Sequence, residues 1–319
     1  MFEYVENNNP NDLHGLLIIR NGHIIAEKYG WPYNETYPHN TFSVTKSLTG
    51  AITGVAIEEG IVKLDDLVLD YFPDMTFENM SKEKENMTIE QLLTMTNGID
   101  WPEWEQGPQV FYEWENSENQ LQYYLDQPII KEQVGNFNYD TGAAVVLAAI
   151  IENATGKTLS EYGHEKIFKK IGITSLEFQS TNEGITNGGT NAHMVPRDMA
   201  RFGYLYLHNG KWDGEQIIPE EWVKTSTTRH TGEDSQGYGY LFWTATESDY
   251  GGIDTYSAMG ARNQYIYVVP EERLIIVQTS EYYSLGALLD YIIPAIESDE
   301  ALSENAEAYN RLKELMGSE

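Results

Sequence analysis

The strand-like runs of this chain fall at its two ends, and that placement constrains the fold more than any other feature. GLLIIRNGHIIAEKYG, residues 15–30, reads as two apolar strands flanking Asn21-Gly22, a favoured two-residue hairpin turn. The other strand signals are YGYLFWT (238–244), NQYIYVVP (263–270) and RLIIVQTS (273–280), the last two joined by a turn at Pro270-Glu271-Glu272. Helical patterning lies between. Val44, Leu48, Ile52 and Val55 recur at helical spacing over 43–59 with Gly60 as a stop, and Thr88 is placed to cap a short helix over 88–95. Further helices are expected at 117–127, 140–155, 159–171 and 196–208, then at 284–297 and 300–316. Short hydrophobic strands need a common sheet whose faces are covered. The simplest architecture joins the two ends in one sheet, with a helical region inserted between them, terminal helices over the sheet, and a cleft at the junction.

Composition narrows the function classes. The 319 residues carry 20 Lys plus Arg against 50 Asp plus Glu, a formal charge of −30. That balance disfavours nucleic acids and anionic membranes, which require basic footprints. It reads as a solvated acidic surface; adaptation to salt or cold is a sharper reading that composition alone does not establish. A hydrophobic fraction of 41% is that of a globular chain. Cysteine is absent, which excludes disulfides, Cys-ligated zinc, iron–sulfur clusters and a thiol nucleophile. No apolar run approaches the ~20 residues of a membrane span. The opening MFEYVENNNPNDLHG lacks the basic start and apolar middle of a signal peptide, so the compartment is left open between the cytoplasm and export with the signal removed.

Ser43-Val44-Thr45-Lys46 is the strongest local chemical signal. Ser43 stands where an extended segment meets a helix, and Lys46, three residues on, shares its face. A lysine shielded from water has a lowered pKa and accepts a serine proton, which is the logic of S-x-x-K nucleophiles. A helix-capping serine is the competing reading. The chain holds a second copy, Ser81-Lys82-Glu83-Lys84, in a charged stretch that reads as a solvated loop. No G-x-S-x-G elbow, Walker loop or dinucleotide fingerprint is present, and the seven His residues show no metal-ligand spacing. Asp65, Asp66, Asp70 and Asp74 read as a turn and helix boundary rather than a calcium loop. Residues 101–118 hold Trp101, Trp104 and Trp114 with five Glu and no basic residue, and read equally as an anchored surface loop or as a lip over a substrate cleft.

In its surroundings Ser43 carries a wider resemblance. TFSVTKSLTGAITGVAIEEGIVKLDDLVLDYFPD (41–74) resembles the first motif region of the serine β-lactamase and penicillin-binding-protein superfamily, especially its class-C-like esterases, D-amino-acid peptidases and amide hydrolases of the nylon-oligomer-hydrolase type. MTIEQLLTMTNGIDW (87–101), GNFNYDTGAAVVLAAIIENATGKTLSEY (135–162), VPRDMARFGYLYLHNGKWDGEQIIPEEWV (195–223) and YSAMGARNQYIYVVPEERLIIVQTS (256–280) continue it in order. The resemblance implies an α/β (α+β) fold of the β-lactamase/transpeptidase type: an antiparallel sheet flanked by helices, with an inserted helical subdomain. Within one domain, 1–319, the sheet part is assigned to 1–75 and 230–319 and the helical part to 76–229.

The resemblance also implies roles. Ser43 becomes the nucleophile, Lys46 its proton partner, and Tyr139 a phenol that shuttles a proton to the leaving group. Ala261 and Ser43 supply backbone N–H groups to an oxyanion hole, and Gly260 leaves room for substrate against its strand. The pattern departs from the family at three places. Ala258-Met259-Gly260 stands where K-T-G or H-x-G is usual, His230-Thr231-Gly232 being a decoy ahead of its strand. Thr141 replaces the asparagine of the second motif. Arg262 stands near where the family usually has Gly, and is the nearest cation to serve a substrate carboxylate. These departures weigh against an efficient β-lactamase. The expected function is hydrolysis of a small ester or amide through an acyl-serine, with no metal or organic cofactor. The alternatives are a D-amino-acid peptidase or weak β-lactamase, and a non-catalytic or slowly acylating sensor.

Overall fold

Asn21 and Gly22 sit at φ 51° and 79°. Two successive left-handed residues make the turn whose twist matches that of a hairpin, and they close β1 (Leu13–Arg20) onto β2 (His23–Tyr29). The computed structural model describes residues 1–103, 109–232, 236–245, 253–298, 300 and 303–317. The remaining strands are β3 (His39–Asn40), β4 (His193–Met194), β5 (Lys211–Trp212), β6 (Glu215–Gln216), β7 (Gly237–Tyr238), β8 (Trp243–Ala245), β9 (Thr255–Gly260), β10 (Gln264–Val269) and β11 (Leu274–Ser280). The helices are α1 (Phe2–Asn7), α2 (Val44–Glu58), α3 (Lys82–Glu85), α4 (Ile89–Leu93), α5 (Gln109–Glu115), α6 (Gln120–Asp126), α7 (Thr141–Thr155), α8 (Leu159–Lys166), α9 (Pro196–Leu207), α10 (Glu220–Ser226), α11 (Leu285–Ile292) and α12 (Ala306–Met316).

The two ends of the chain meet as expected. The main sheet has seven antiparallel strands in the order β2-β1-β11-β10-β9-β8-β7. β1 lies against β11 with Leu17 opposite Val277 and Ile19 opposite Ile275. Alternation then sends neighbouring side chains to opposite faces. Leu17, Ile19, Ile275 and Val277 enter the larger core, while Leu16, Ile18, Leu274 and Ile276 enter a smaller one with α1 and α11. Both faces of the central strands are therefore covered, which is why their sequences read as nearly continuous apolar runs.

Helix α2 crosses the larger core against β9, α7 and α8. Its apolar periodicity marks only one face, yet every residue from Val44 to Ala56 is buried. The polar ones persist because they are paired. Ser47 Oγ donates to the Leu241 carbonyl (2.7 Å), Thr49 Oγ1 to Gly188 (2.7 Å) and Thr53 Oγ1 to Thr49 (2.9 Å). Gly54 leaves space for the Trp222 indole, which a Cβ would overlap.

Several local expectations differ from the structure; the helices expected at 159–171, 284–297 and 300–316 are shorter, at Leu159–Lys166, Leu285–Ile292 and Ala306–Met316. YGYLFWT is two short strands, not one. Leu241 turns at φ 60°, and the interior amides bond outside the sheet, Tyr240 N to Ser226 O (3.0 Å) and Leu241 N to Leu93 O (3.1 Å). The helix expected from 117 starts at Gln120, with Asn119 as its cap. Helix α9, inside the interval assigned to the helical part, packs on β11, β1 and β10 of the sheet. Trp101 and Trp114 are each 1% exposed and meet edge to face at 5.7 Å, so they are core and not a lip; Trp104 lies outside the described residues. No helix among the described residues is long and apolar enough to cross a membrane.

Candidate active site

The turn ahead of α2 is fixed from several sides. β3 pairs with β4, and Thr41 N donates to the Ala192 carbonyl at 2.8 Å. Phe42 is forced to φ 47°, held there by its amide on Asn40 Oδ1 (2.8 Å) and by Thr45 Oγ1 on its carbonyl (2.5 Å). Such a left-handed conformation in a bulky residue persists only where its surroundings over-determine it. Ser43 follows at φ −72°, ψ −4°, already helical, and its hydroxyl makes no capping bond. The capping reading of Ser43 therefore fails, because a capping serine needs an extended backbone.

Lys46 lies one turn further on and is 1% exposed. Its Nζ donates to Ser43 Oγ (3.1 Å), Thr141 Oγ1 (2.9 Å) and the Gly189 carbonyl (2.7 Å). Burial lowers its pKa from 10.5 to about 8, against the opposing pull of Glu103 and Asp140. Tyr139 joins from the segment entering α7. Its ring is 4.9 Å from Lys46 Nζ and stacks on Trp243 with centroids 5.5 Å apart. Burial and the charges of Glu103 and Asp140 push the phenol above its usual range, while a hydrogen bond with Ser43 pulls it down. Lysine and tyrosine are thus driven apart: Lys46 releases its proton readily and Tyr139 retains its own.

Asp140 caps α7 through the Ala143 amide (3.0 Å) and also accepts from Asn97 (3.1 Å) and from the Tyr124 hydroxyl. Burial raises its pKa to about 6. Thr141, the first residue of α7, touches Lys46 on one side and Glu103 on the other. Glu103 went unnoticed in the sequence, where it is one of five Glu in an aromatic stretch; the indole of Trp101, whose N–H needs a buried partner, is the only local hint.

The end of β9 completes the group. A Cβ at Gly260 would overlap the Thr41 carbonyl oxygen. The glycine lets β9 approach the turn before Ser43, and the space expected for substrate there is filled by the chain's own backbone. Ala261 follows Gly260 directly. β8 pairs with β9 only over Thr255–Ser257, so among the described residues the last part of β9 has no strand on that edge. Arg262 ion-pairs with Glu281 (3.0 Å) and lies 5.4 Å from the Phe42 ring centre. It lies beside the turn that precedes Ser43, but its charge is already shared. His230 stacks on Tyr240 and bonds the Thr225 carbonyl (2.9 Å), while Thr231 bonds that of Thr94 (3.2 Å). Among the described residues no cluster of His, Asp or Glu is placed to hold a metal ion.

The beta-lactamase family model matches residues 14–283. The 6-aminohexanoate-dimer hydrolase of Paenarthrobacter ureafaciens is 24% identical over 83% of this chain and 72% of its own length. Two solved structures share the fold. A D-stereospecific amidohydrolase from Streptomyces is 15% identical, covering 94% of this chain and 98% of its own, with a TM-score of 0.70. EstCE1, described as a hydrolase with promiscuous acyltransferase activity, is 17% identical, covering 88% and 91%, with a TM-score of 0.72.

Proposed function

Since the chain belongs to the beta-lactamase family, we propose that it is a serine hydrolase that cleaves a small ester or amide through an acyl-serine intermediate. One observation carries the reading: a buried Lys46 amine, its pKa lowered to about 8, lies 3.1 Å from a serine hydroxyl that caps nothing. Neutral Lys46 takes the Ser43 proton as Oγ attacks the carbonyl carbon. The backbone N–H groups of Ser43 and Ala261 receive the oxyanion, at a helix N-terminus where negative charge is favoured. Tyr139 keeps its proton at neutral pH and therefore acts as donor to the departing alkoxide or amine, recovering the proton through Lys46. Water then cleaves the acyl-serine to free acid and Ser43 by the same steps reversed.

Among these substrates an amide is favoured by the relatives, one named for a 6-aminohexanoate dimer and one as an amidohydrolase. The motif cation is missing and Arg262 is paired with Glu281, which disfavours β-lactams whose carboxylate needs a dedicated charge. The test is side-by-side hydrolysis of short p-nitrophenyl esters, a linear amide and a chromogenic cephalosporin by wild type and Ser43→Ala. Ester or amide turnover that disappears with Ser43, and little cephalosporin cleavage, is expected. Turnover that survives Ser43→Ala overturns the reading. Efficient cephalosporin cleavage reassigns the substrate to the β-lactams.

A further inference from the structure

Lys46 Nζ reaches three oxygens: Ser43 Oγ at 3.1 Å, Thr141 Oγ1 at 2.9 Å and the Gly189 carbonyl at 2.7 Å. A neutral amine has two N–H donors and one lone pair, and it is a base toward Ser43 only if that lone pair faces Ser43. The Gly189 carbonyl can only accept. A threonine hydroxyl can accept or donate, so the direction of the Thr141 O–H decides where the lone pair goes.

That direction is set by Glu103. Thr141 Oγ1 donates to Glu103 Oε1 at 2.7 Å. Glu103 Oε2 accepts from Thr141 N and from Trp101 Nε1, both at 2.8 Å. The side chain is buried, at 6% exposure, and both of its oxygens act as acceptors, the pattern of an ionised carboxylate. We propose that Glu103 is a positioning residue that holds the Thr141 hydroxyl as an obligate acceptor toward Lys46, so that the Lys46 lone pair is left to Ser43. The proposal rests on Ser43 being the nucleophile. Glu103 would touch no substrate; it acts through Thr141.

The charges around Lys46 give the proposal a pH signature. Glu103 and Asp140 both raise its pKa, and burial lowers it. The Tyr139 ring faces it directly, the Tyr124 phenol donates to Asp140, and the Tyr238 ring lies edge-on to that of Tyr139; burial pushes the pKa of both Tyr124 and Tyr238 well up. Glu103→Gln removes one of the two raising charges. It also reverses a polarity. Two N–H groups, from Thr141 and Trp101, face one oxygen of residue 103, and one hydroxyl faces the other. The amide oxygen of Gln satisfies the pair, its NH₂ turns toward Thr141 Oγ1, and the Thr141 O–H swings onto Lys46 and occupies the lone pair.

The experiment follows labelling of the full-length protein by an alkyl fluorophosphonate across a range of pH, read by intact mass and peptide mapping. Ser43 Oγ forms a bond to phosphorus, fluoride leaves, and the serine proton passes to Lys46. Wild type is expected to label at Ser43 with an acid limb at about pH 8. Glu103→Gln is expected to label about 100-fold more slowly at the alkaline plateau, with its acid limb moved to lower pH. Adding Thr141→Val to Glu103→Gln removes the quenching hydroxyl and should recover part of the plateau rate. A Glu103→Gln protein with wild-type plateau and limb overturns the proposal. If that variant fails to fold, Thr141→Ser and Thr141→Val decide. The first keeps the hydroxyl and the rate, the second loses about tenfold, and equal rates overturn the proposal. A wild type unlabelled at Ser43 sinks the nucleophile reading itself, whereas a labelled wild type with unmoved variants sinks the role of Glu103 alone.

Discussion

Ser43–Lys46 and Ser81–Lys84 are the same four-residue pattern in two different states. Each serine begins a helix and each lysine is almost fully buried. The difference begins in the backbone. Ser81 is extended, at φ −144° and ψ 167°, so its hydroxyl turns into the helix and accepts from Lys84 N at 3.2 Å. Ser43 is helical and its hydroxyl caps nothing. The lysines diverge as well. Lys84 Nζ ties down two carbonyls, Glu78 at 2.9 Å and Leu125 at 2.7 Å, whereas Lys46 Nζ reaches its own serine. Spacing brings a serine and a lysine onto one face. The conformation of the preceding turn decides whether the lysine meets its own serine or ties down carbonyls elsewhere.

Substitutions at matched positions sharpen this contrast. The largest expected effect is on Ser43→Ala, which should lower ester or amide turnover by about 10⁴-fold or more while leaving the melting temperature almost unchanged, because no cap is lost. Lys46→Met should cost about 100-fold or more in kcat, and it removes the acid limb that wild type shows near the Lys46 pKa of about 8. The sign follows from the proposed chemistry: with the neutral amine as base, activity rises as pH climbs through that value. Lys84→Met should leave kcat per folded molecule intact and destabilise by about 1–3 kcal/mol, since the buried Leu125 carbonyl and the half-buried Glu78 carbonyl lose their donor; urea unfolding beside steady-state kinetics separates the two lysines. The smallest effect is on Ser81→Ala, about 1 kcal/mol from the lost cap with no change in turnover. A drop in kcat there would break the contrast.

How far the sequence reaches follows the same line. Ser43, Lys46 and Tyr139 were legible because their relation is local or lies in motifs with a fixed order along the chain. The copy at Ser81 reads as a solvated loop in sequence and is a capped helix with a buried lysine in the fold, because burial of Lys84 depends on Leu125, 41 residues away. Glu103 was invisible for a related reason. Its meaning comes from Thr141, 38 residues on, and one Glu among several carries no mark of that contact. The helix of Ser43 showed its apolar face through Val44, Leu48, Ile52 and Val55. Its polar face was silent, since Ser47, Thr49 and Thr53 are buried only because distant or backbone carbonyls accept from them. Trp101 and Trp114 point the same way: an acidic, aromatic stretch reads as surface until packing against Tyr124 shows otherwise.

The most direct test of the central claim is the position of the covalent bond. The protein is mixed with a slowly deacylating p-nitrophenyl ester, quenched in acid during the burst and digested, and the acylated peptide is sequenced by mass spectrometry. The account predicts one acyl group, on Ser43, formed at the rate of p-nitrophenol release and absent from Lys46→Met. An acyl group on any other residue, Ser81 included, or full turnover with no adduct at Ser43, would contradict it.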